Sequence, residues 1–102
     1  MASQDCAAGF GENLRRCRKR AGVSQEELGW RSSLHRTEVG LLERGSRTPR
    51  IDTLIKLAAP LEIEPRELLA GIEWTPSEIE VVERRAAGFS MSQQEPEKEG
   101  QP

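Results

Sequence analysis

Residues that carry catalytic or metal chemistry are scarce in this sequence of 102 residues. It contains one histidine, two cysteines and no tyrosine. A structural zinc site needs more His and Cys ligands than Cys6, Cys17 and His35 can supply. No acidic pair stands in an apolar setting, where a carboxyl group could become a general acid or base. The sequence therefore predicts a protein that is not an enzyme and that holds no metal ion or other cofactor.

Long apolar runs and aromatic residues are also scarce. Hydrophobic residues make up 35% of the chain, with two Phe and two Trp, so the core must be mainly aliphatic. No run approaches the roughly 18 apolar residues that suggest a membrane span, and the first residues lack a cationic and then apolar signal. We therefore expect a cytoplasmic protein with no membrane partner. In that reducing compartment a disulfide between Cys6 and Cys17 is not expected, and Cys17, on an apolar helical face, should be buried.

Charge is distributed unevenly along the chain, although its net value is only −2. Residues 10–50 contain ten Lys or Arg against five Asp or Glu, whereas residues 51–102 contain five against eleven. A positive first half suits binding to the phosphates of nucleic acid, and the net acidity of the whole chain does not argue against it. The acidic second half would limit non-specific binding to nucleic acid.

Residues 23–45 carry the signals of two short helices joined by a tight turn. Ser24 is placed as the N-cap of a helix over residues 25–32, whose first turn is acidic, as the helix dipole favours. A break follows, and a second helix is predicted over residues 36–44 with Gly45 just past its end. Two short helices joined in this way form a helix-turn-helix, in which the second helix enters a DNA groove.

The second of these helices has two distinct faces. Val39 and Leu42 recur at helical spacing and should face the core. His35 and Glu38 have the spacing of a capping box at the start of the helix. The outward face is left with Arg36, Thr37, Leu41 and Arg44.

The two helices resemble the helix-turn-helix family of phage repressor and Cro-type regulators, also called the xenobiotic-response-element family. The matching segments are SQEEL at residues 24–28, the aliphatic Leu34, Val39, and LLERG at residues 41–45. The resemblance implies an all-α fold, a compact five-helix lambda-repressor-like DNA-binding domain over residues 10–72. It also implies that the ligand is double-stranded DNA, bound by a homodimer on an inverted repeat.

Three residues depart from the family pattern. Gly29 and Gly40 stand where the family commonly has Ala and Ser, and a glycine within a helix costs about 0.5–1 kcal/mol relative to Ala. Close helix packing at Gly29 would offset this cost. Ser33 replaces the usual glycine of the turn, so the turn is strained if it needs a positive φ.

The resemblance also implies roles for single residues. Gln25 either contacts a phosphate at the N-terminus of its helix or is an ordinary residue of the first turn. Arg36 and Thr37 would contact base edges or a phosphate, and Leu41 a thymine methyl group. Glu38 has two interpretations: it completes the helix cap, or it accepts a hydrogen bond from a cytosine amine.

Arginines after the second helix complete the predicted interface. Arg47 and Arg50 lie in the loop SRTPR, where they suit flanking phosphates or the minor groove, or else lie on a solvated turn. Trp30 either lies over the first helix or marks a contact with another chain. The predicted DNA-binding set is Gln25, Arg36, Thr37, Glu38, Leu41, Arg44, Arg47 and Arg50.

The segments on either side are predicted from local pattern. Residues 1–9 are typical of a disordered arm, and a helix follows over residues 10–21. Its outer face, either solvated or in contact with phosphates, carries Arg15, Arg16, Arg18, Lys19 and Arg20. A fourth helix should end early at Pro60 and bury Ile51, Leu54, Ile55, Leu57, Ala58 and Leu61. A fifth helix should begin at Pro65 and turn Leu68 and Leu69 inward.

The C-terminal region is predicted to add one more helix. Thr75-Pro76-Ser77-Glu78 is a capping-box start, and it favours an amphipathic helix over residues 76–87 within a segment 73–89. This helix has two open interpretations: it folds back on the core, or it pairs with a second chain. Residues 90–102 are polar and are predicted to be a disordered tail.

Two functions follow from these patterns. The first is sequence-specific binding of double-stranded DNA by a transcriptional regulator, usually a repressor in this family, through the helix at residues 36–44. The second is an antitoxin or other protein-interaction module that contacts a protein partner through residues 74–89. The two functions do not exclude each other.

Overall fold

The computed structural model describes residues 2–76 and 88–91. Its helices are α1 (Ala2–Ala21), α2 (Gln25–Arg31), α3 (Arg36–Glu43) and α4 (Ile51–Leu61), followed by a short 3-10 helix (Pro65–Leu69). Two strands, β1 (Ile72–Thr75) and β2 (Gly88–Met91), pair in an antiparallel sheet. The described residues therefore form a mostly helical fold of four α-helices and a small sheet, not the predicted five-helix domain.

The core lies where α1, α2, α3 and α4 meet, and it is aliphatic apart from one phenylalanine. Its fully buried members are Phe10, Leu14, Leu28, Val39, Leu42, Leu57 and Leu68. Burying a side chain of this size stabilises a fold by about 1.5–3 kcal/mol. Cys17 belongs to the same cluster, so its predicted role as a small apolar side chain is confirmed.

A buried asparagine ties α1 to the 3-10 helix. The Asn13 amide nitrogen donates to the carbonyl oxygens of Leu68 and Ala70, at 3.0 and 2.9 Å. Its amide oxygen accepts from Arg16 at 2.8 Å, so the buried polar side chain is fully used. A buried amide left without partners would be destabilising, and these three bonds avoid that cost.

The first helix is longer than predicted. It begins at Ala2, so residues 2–9 continue the helix instead of forming a disordered arm. Ala7 is buried, and a Cβ added at Gly9 would lie 2.6 Å from the Met91 sulfur and 3.2 Å from Ile72. The β-strands thus provide the packing partner that stabilises this part of α1, and local sequence gives no sign of that partner.

Helix α4 and the 3-10 helix turn fewer side chains inward than expected. Ile51 and Ile55 were predicted to be buried, yet they are 76% and 53% exposed. Leu68 is buried as predicted, whereas Leu69 is exposed. Pro60 lies inside α4, which ends one residue later at Leu61 because Glu62 takes a left-handed conformation.

The C-terminal region folds differently from the prediction at both ends of the expected helix. Residues 72–75 and 88–91 form strands in which Trp74 faces Phe89 and Ile72 faces Met91. The rings of Trp74 and Phe89 meet edge to face, with centroids 5.0 Å apart. Residues 77–87, most of the predicted helix, and residues 92–102 of the predicted tail lie outside the described residues.

Small residues let α1 sit between the sheet and the end of α3. On one side Gly9 contacts Ile72 and Met91; on the other, a Cβ at Gly45 would lie 3.0 Å from the Ala8 Cα. Gly45 has a φ of +74°, which ends α3 in the left-handed region that glycine tolerates. The prediction of Gly45 just past the end of this helix is therefore confirmed.

Candidate nucleic-acid interface

Both helices of the helix-turn-helix begin at side-chain caps. The Ser24 hydroxyl accepts from the Glu27 backbone N–H at 2.9 Å, as the sequence predicted. At the start of α3 the His35 Nδ1 accepts from the Thr37 N–H at 3.1 Å. The predicted capping box with Glu38 is wrong, because the Glu38 carboxylate instead accepts from Arg47 at 2.9 Å. Each cap satisfies a backbone N–H group of the first turn and so stabilises the start of its helix.

Two of the departures from the family pattern, Ser33 and Gly29, lie at the turn between α2 and α3. Ser33 has a φ of +60°, so the strain expected of a non-glycine residue there is present. A Cβ on Gly29 would lie 2.7 Å from the Leu34 carbonyl oxygen and 3.2 Å from the Arg36 nitrogen. The close packing expected at Gly29 is therefore confirmed, and it brings the start of α3 against α2.

The outward face of α3 carries the predicted readers. Val39 and Leu42 are completely buried and fix the helix on the core. On the other side Arg36, Thr37 and Arg44 are exposed, and Leu41 is half-buried. The exposed positions therefore include the N-terminal residues of α3, the part of a recognition helix that reaches base edges.

A buried ion pair joins three helices behind this face. Arg18 of α1 donates to both carboxylate oxygens of Glu43 in α3, at 2.6 and 3.1 Å, and to the Val23 carbonyl oxygen. The Gln25 side chain of α2 donates to the same carboxylate at 2.9 Å. The hydrogen bond to Glu43 raises the pKa of Arg18 against the opposing effect of burial. Arg18, predicted to lie on the outer face, is instead a structural residue with only 11% of its side chain exposed.

This network was not predicted, because the sequence signal is weak. Arg18 stands in a run of basic residues, and its partner Glu43 lies 25 residues later. One feature of the sequence does point to this network: helical spacing places Glu43 on the inward face of α3 together with Val39 and Leu42. An acidic residue on an inward face needs a cationic partner, and that requirement could have pointed to α1.

Carboxylates pair with three of the four predicted DNA-binding arginines; those of Glu26 and Asp52 are exposed, and that of Glu38 is half-buried. Arg36 contacts Glu26 at 3.5 Å, Arg47 contacts Glu38 at 2.9 Å, and Arg50 contacts Asp52 at 3.2 Å. Exposed pairs of this kind contribute only about 0–1 kcal/mol each. An arginine that leaves its carboxylate for a phosphate or base of a ligand therefore gives up at most about 1 kcal/mol of attraction.

Trp30 is 79% exposed, so it does not lie over α1. It lines an open depression at the start of the two helices together with Ser24, Glu26, Glu27, Leu34, His35 and Arg36. Its other interpretation, a contact with another chain, stays a prediction.

The part of the chain that the structure describes contains neither a metal-binding cluster nor a membrane-spanning helix. In residues 2–76 and 88–91, no three His, Cys, Asp or Glu side chains gather as they would around a metal ion. None of the helices in the same part of the chain combines the length and the apolar character needed to cross a membrane.

Comparison with known proteins decides the family. A family model described as Helix-turn-helix matches residues 14–68, more than half of the chain. The chain belongs to the helix-turn-helix family. Its fold is of the phage repressor and Cro type, as the resemblance of residues 24–45 implied.

Relatives of this helix-turn-helix protein include control proteins and repressors. It is 36% identical over 61 residues to the control protein C.BamHI of Bacillus amyloliquefaciens, a match that covers 59% of this chain and 75% of that one. The crystal structure of the restriction-modification controller protein C.AhdI from Aeromonas hydrophila is 47% identical, with a TM-score of 0.59; the match covers 61% of this chain and 94% of that one. The P22 c2 repressor in complex with a synthetic operator is 28% identical, with a TM-score of 0.56, over 59% of this chain and 91% of that one.

Proposed function

We propose that this protein is a cytoplasmic transcriptional regulator that binds double-stranded operator DNA by placing α3 in the major groove. The observation that carries the proposal is the outward face of α3, where Arg36, Thr37 and Arg44 are exposed while Val39 and Leu42 hold the helix on the core. Membership of the helix-turn-helix family supports it, as does the similarity to a repressor bound to its operator. It would act as a binding protein and not as an enzyme.

The charges around α3 support contacts to the DNA backbone. Arg44 and Arg47 lie at and just after the end of α3, and Arg50 precedes α4. Their side chains are exposed, so each can neutralise a phosphate on either side of the groove. Gln25 is half-buried and fixed by Glu43, which suits a phosphate contact of defined geometry at the start of α2.

Base recognition would be divided among three residues of α3. Arg36 can donate to a guanine through two nitrogen atoms, and Thr37 can bond either a base or a phosphate. Leu41 lies one turn further and can contact a thymine methyl group. Because Glu38 pairs with Arg47, its own role would be to orient that arginine beside the DNA.

We propose that the protein binds as a homodimer on an inverted repeat. Apolar side chains away from α3 support an association surface, since Ile51 and Ile55 lie one turn apart on α4 and are largely exposed. Two-fold dimers of helix-turn-helix proteins place their recognition helices about one turn of DNA apart. Occupation of a promoter by such a dimer would repress transcription.

Selection from a random pool of DNA duplexes tests the proposal. The full chain is incubated with the pool at moderate salt, and the retained DNA is sequenced. Enrichment of an inverted repeat with half-sites about 10 base pairs apart is expected. A retained pool that stays random would contradict operator recognition.

A second candidate function is binding of a protein partner, such as a toxin, through residues 74–89. The exposed indole of Trp74, which packs against the half-buried Phe89, favours it, because aromatic side chains are enriched in protein interfaces. If the DNA pool stays random, the expected result is instead a change in the fluorescence of the tryptophans when a co-encoded partner is added.

A further inference from the structure

We propose that Glu26 is a positioning residue that raises the DNA specificity of the protein by controlling Arg36. This inference rests on the DNA-binding function proposed above. Glu26 lies in the first turn of α2, and Arg36 is the first residue of α3. A carboxylate oxygen of Glu26 lies 3.5 Å from the Arg36 Nη1 atom, across the turn that joins the two helices.

The geometry leaves Arg36 able to bind a base while it stays beside Glu26. A guanidinium group has five N–H donors, and the contact with Glu26 is made by Nη1. The edge formed by Nε and Nη2 is still available for the two acceptors of a guanine. The Glu26 carboxylate thus restricts the orientations of the Arg36 guanidinium group. Arg36 therefore loses less conformational entropy when it contacts a base.

The same carboxylate opposes contact between Arg36 and a phosphate. An arginine that turns to the DNA backbone must leave Glu26, and Glu26 then stands next to a phosphate of like charge. On a sequence with the correct base, the contact with Glu26 is kept. On other sequences it is lost or brings repulsion, so Glu26 weakens non-specific binding more than specific binding.

A second carboxylate on the same helix provides a matched control. Glu27 pairs with Arg31 at 2.7 Å, one turn apart on α2. Its removal changes the net charge by the same amount as the removal of Glu26. Arg31 lies outside the predicted DNA-binding set, so the comparison separates an effect on Arg36 from a general effect of charge.

The experiment measures the affinity of four variants for two DNA duplexes. The variants are Glu26→Ala, Glu27→Ala, Arg36→Ala and the double variant Glu26→Ala/Arg36→Ala. One duplex carries the sequence that the wild-type protein enriches, and the other is a random sequence of equal length. Each affinity is measured over a range of salt concentrations.

Glu26→Ala is expected to lower the ratio of specific to non-specific affinity about three- to tenfold, a part of the discrimination that one bidentate base contact provides. On random DNA the slope of log affinity against log salt should steepen by about 0.9, the value for one added phosphate contact. Glu27→Ala should change neither quantity. In the Arg36→Ala background, loss of Glu26 should no longer lower the ratio.

Three results would overturn the proposal. They are an equal effect of Glu26→Ala and Glu27→Ala, an effect of Glu26→Ala that persists without Arg36, and wild-type binding by Arg36→Ala. The first two leave the proposed function intact, provided that the wild-type protein enriches a sequence. The third would also remove Arg36 from the proposed base readers, whereas enrichment of a sequence by the wild-type protein would still support operator binding. If it enriches none, the proposed function fails, and this inference fails with it.

Discussion

Glu43 shows how a single side chain can hold together the helices that carry the proposed DNA-binding surface. Its carboxylate accepts from Arg18 of α1 and from Gln25 of α2, although Glu43 itself belongs to α3. Only 4% of its side chain is exposed, so these partners take the place of water around its carboxylate. Loss of one partner leaves a buried charge that water cannot reach, which costs more than the pair itself contributes.

Replacement of one member of this pair should therefore be more harmful than replacement of both. Arg18→Ala is expected to lower the free energy of unfolding by about 3–5 kcal/mol, whereas Arg18→Met/Glu43→Leu should recover most of that loss. Urea unfolding followed by circular dichroism measures the difference. If the double variant is as unstable as Arg18→Ala, the loss of stability in Arg18→Ala does not come from the unpaired Glu43 carboxylate.

The cap at the start of α3 can be tested separately. His35→Ala removes the acceptor for the Thr37 N–H and should lower the free energy of unfolding by about 0.5–2 kcal/mol. Asn is among the best N-cap residues, so His35→Asn should be at least as stable as the wild type. Thermal unfolding of the three proteins measures this. Equal loss in both variants would mean that the imidazole contributes something other than a cap.

Among the elements, those fixed by local signals were predicted best. The Ser24 cap of α2, the start of α3 at Arg36 and the end of α3 at Gly45 follow from residues within a few positions of each other, and all three are confirmed. Of the predicted capping box of α3, only the His35 half is present. The pairing of Ile72–Thr75 with Gly88–Met91 joins segments far apart in the chain. Nothing local reveals such a partner, and the capping signal at Thr75 favoured a helix instead. The length of α1 could not be predicted for the same reason, because its first turns pack on that sheet.

Gly11 and Gly40 should respond differently to substitution by Ala, because different atoms lie next to each of them. A Cβ on Gly11 would lie 2.4 Å from the Leu42 carbonyl oxygen and 2.6 Å from that of Glu43, so Gly11→Ala must push α1 away from α3. A Cβ on Gly40 would meet mainly the flexible end of Arg44, at 3.2 Å.

Gly11→Ala should therefore destabilise the protein by about 1–3 kcal/mol. Gly40→Ala should stabilise it by about 0.5–1 kcal/mol, the usual gain of helix propensity. Chemical unfolding of the two variants measures both values. Stabilisation by Gly11→Ala would show that α1 and α3 can separate at little cost.

At the scale of the whole molecule, the cationic residues of the proposed DNA interface and the exposed isoleucines of α4 lie in different halves of the sequence. The cationic residues of the proposed DNA interface lie in the basic half, residues 10–50, whereas the exposed Ile51 and Ile55 lie at the start of the acidic half. The sequence itself contains this division of charge. It did not predict the exposed isoleucines, because helical periodicity alone marks an apolar stripe on α4 and does not show how wide a stripe the core can cover.

The exposed stripe on α4 allows the proposed dimer to be tested. Ile55→Glu should shift the protein toward a monomer and weaken operator binding by about tenfold or more, since charged groups are disfavoured in the centre of an interface. Lys56→Gln makes the same change in net charge on a neighbouring exposed residue and should leave both properties unchanged. Sedimentation velocity and titration of the enriched duplex measure them. A dimer that persists in Ile55→Glu would place the association surface elsewhere.

The outward residues of α3 and its buried Glu43 differ in whether they can be transferred to another scaffold to transfer DNA specificity. Arg36, Thr37 and Arg44 project away from the core and can be exchanged as a cassette without disturbing the packing. Glu43 cannot travel with them unless the recipient scaffold has an arginine in the place of Arg18. A graft that carries the whole helix into a scaffold without that arginine would import an unneutralised carboxylate, and the hybrid would fail by misfolding before its choice of operator could be read.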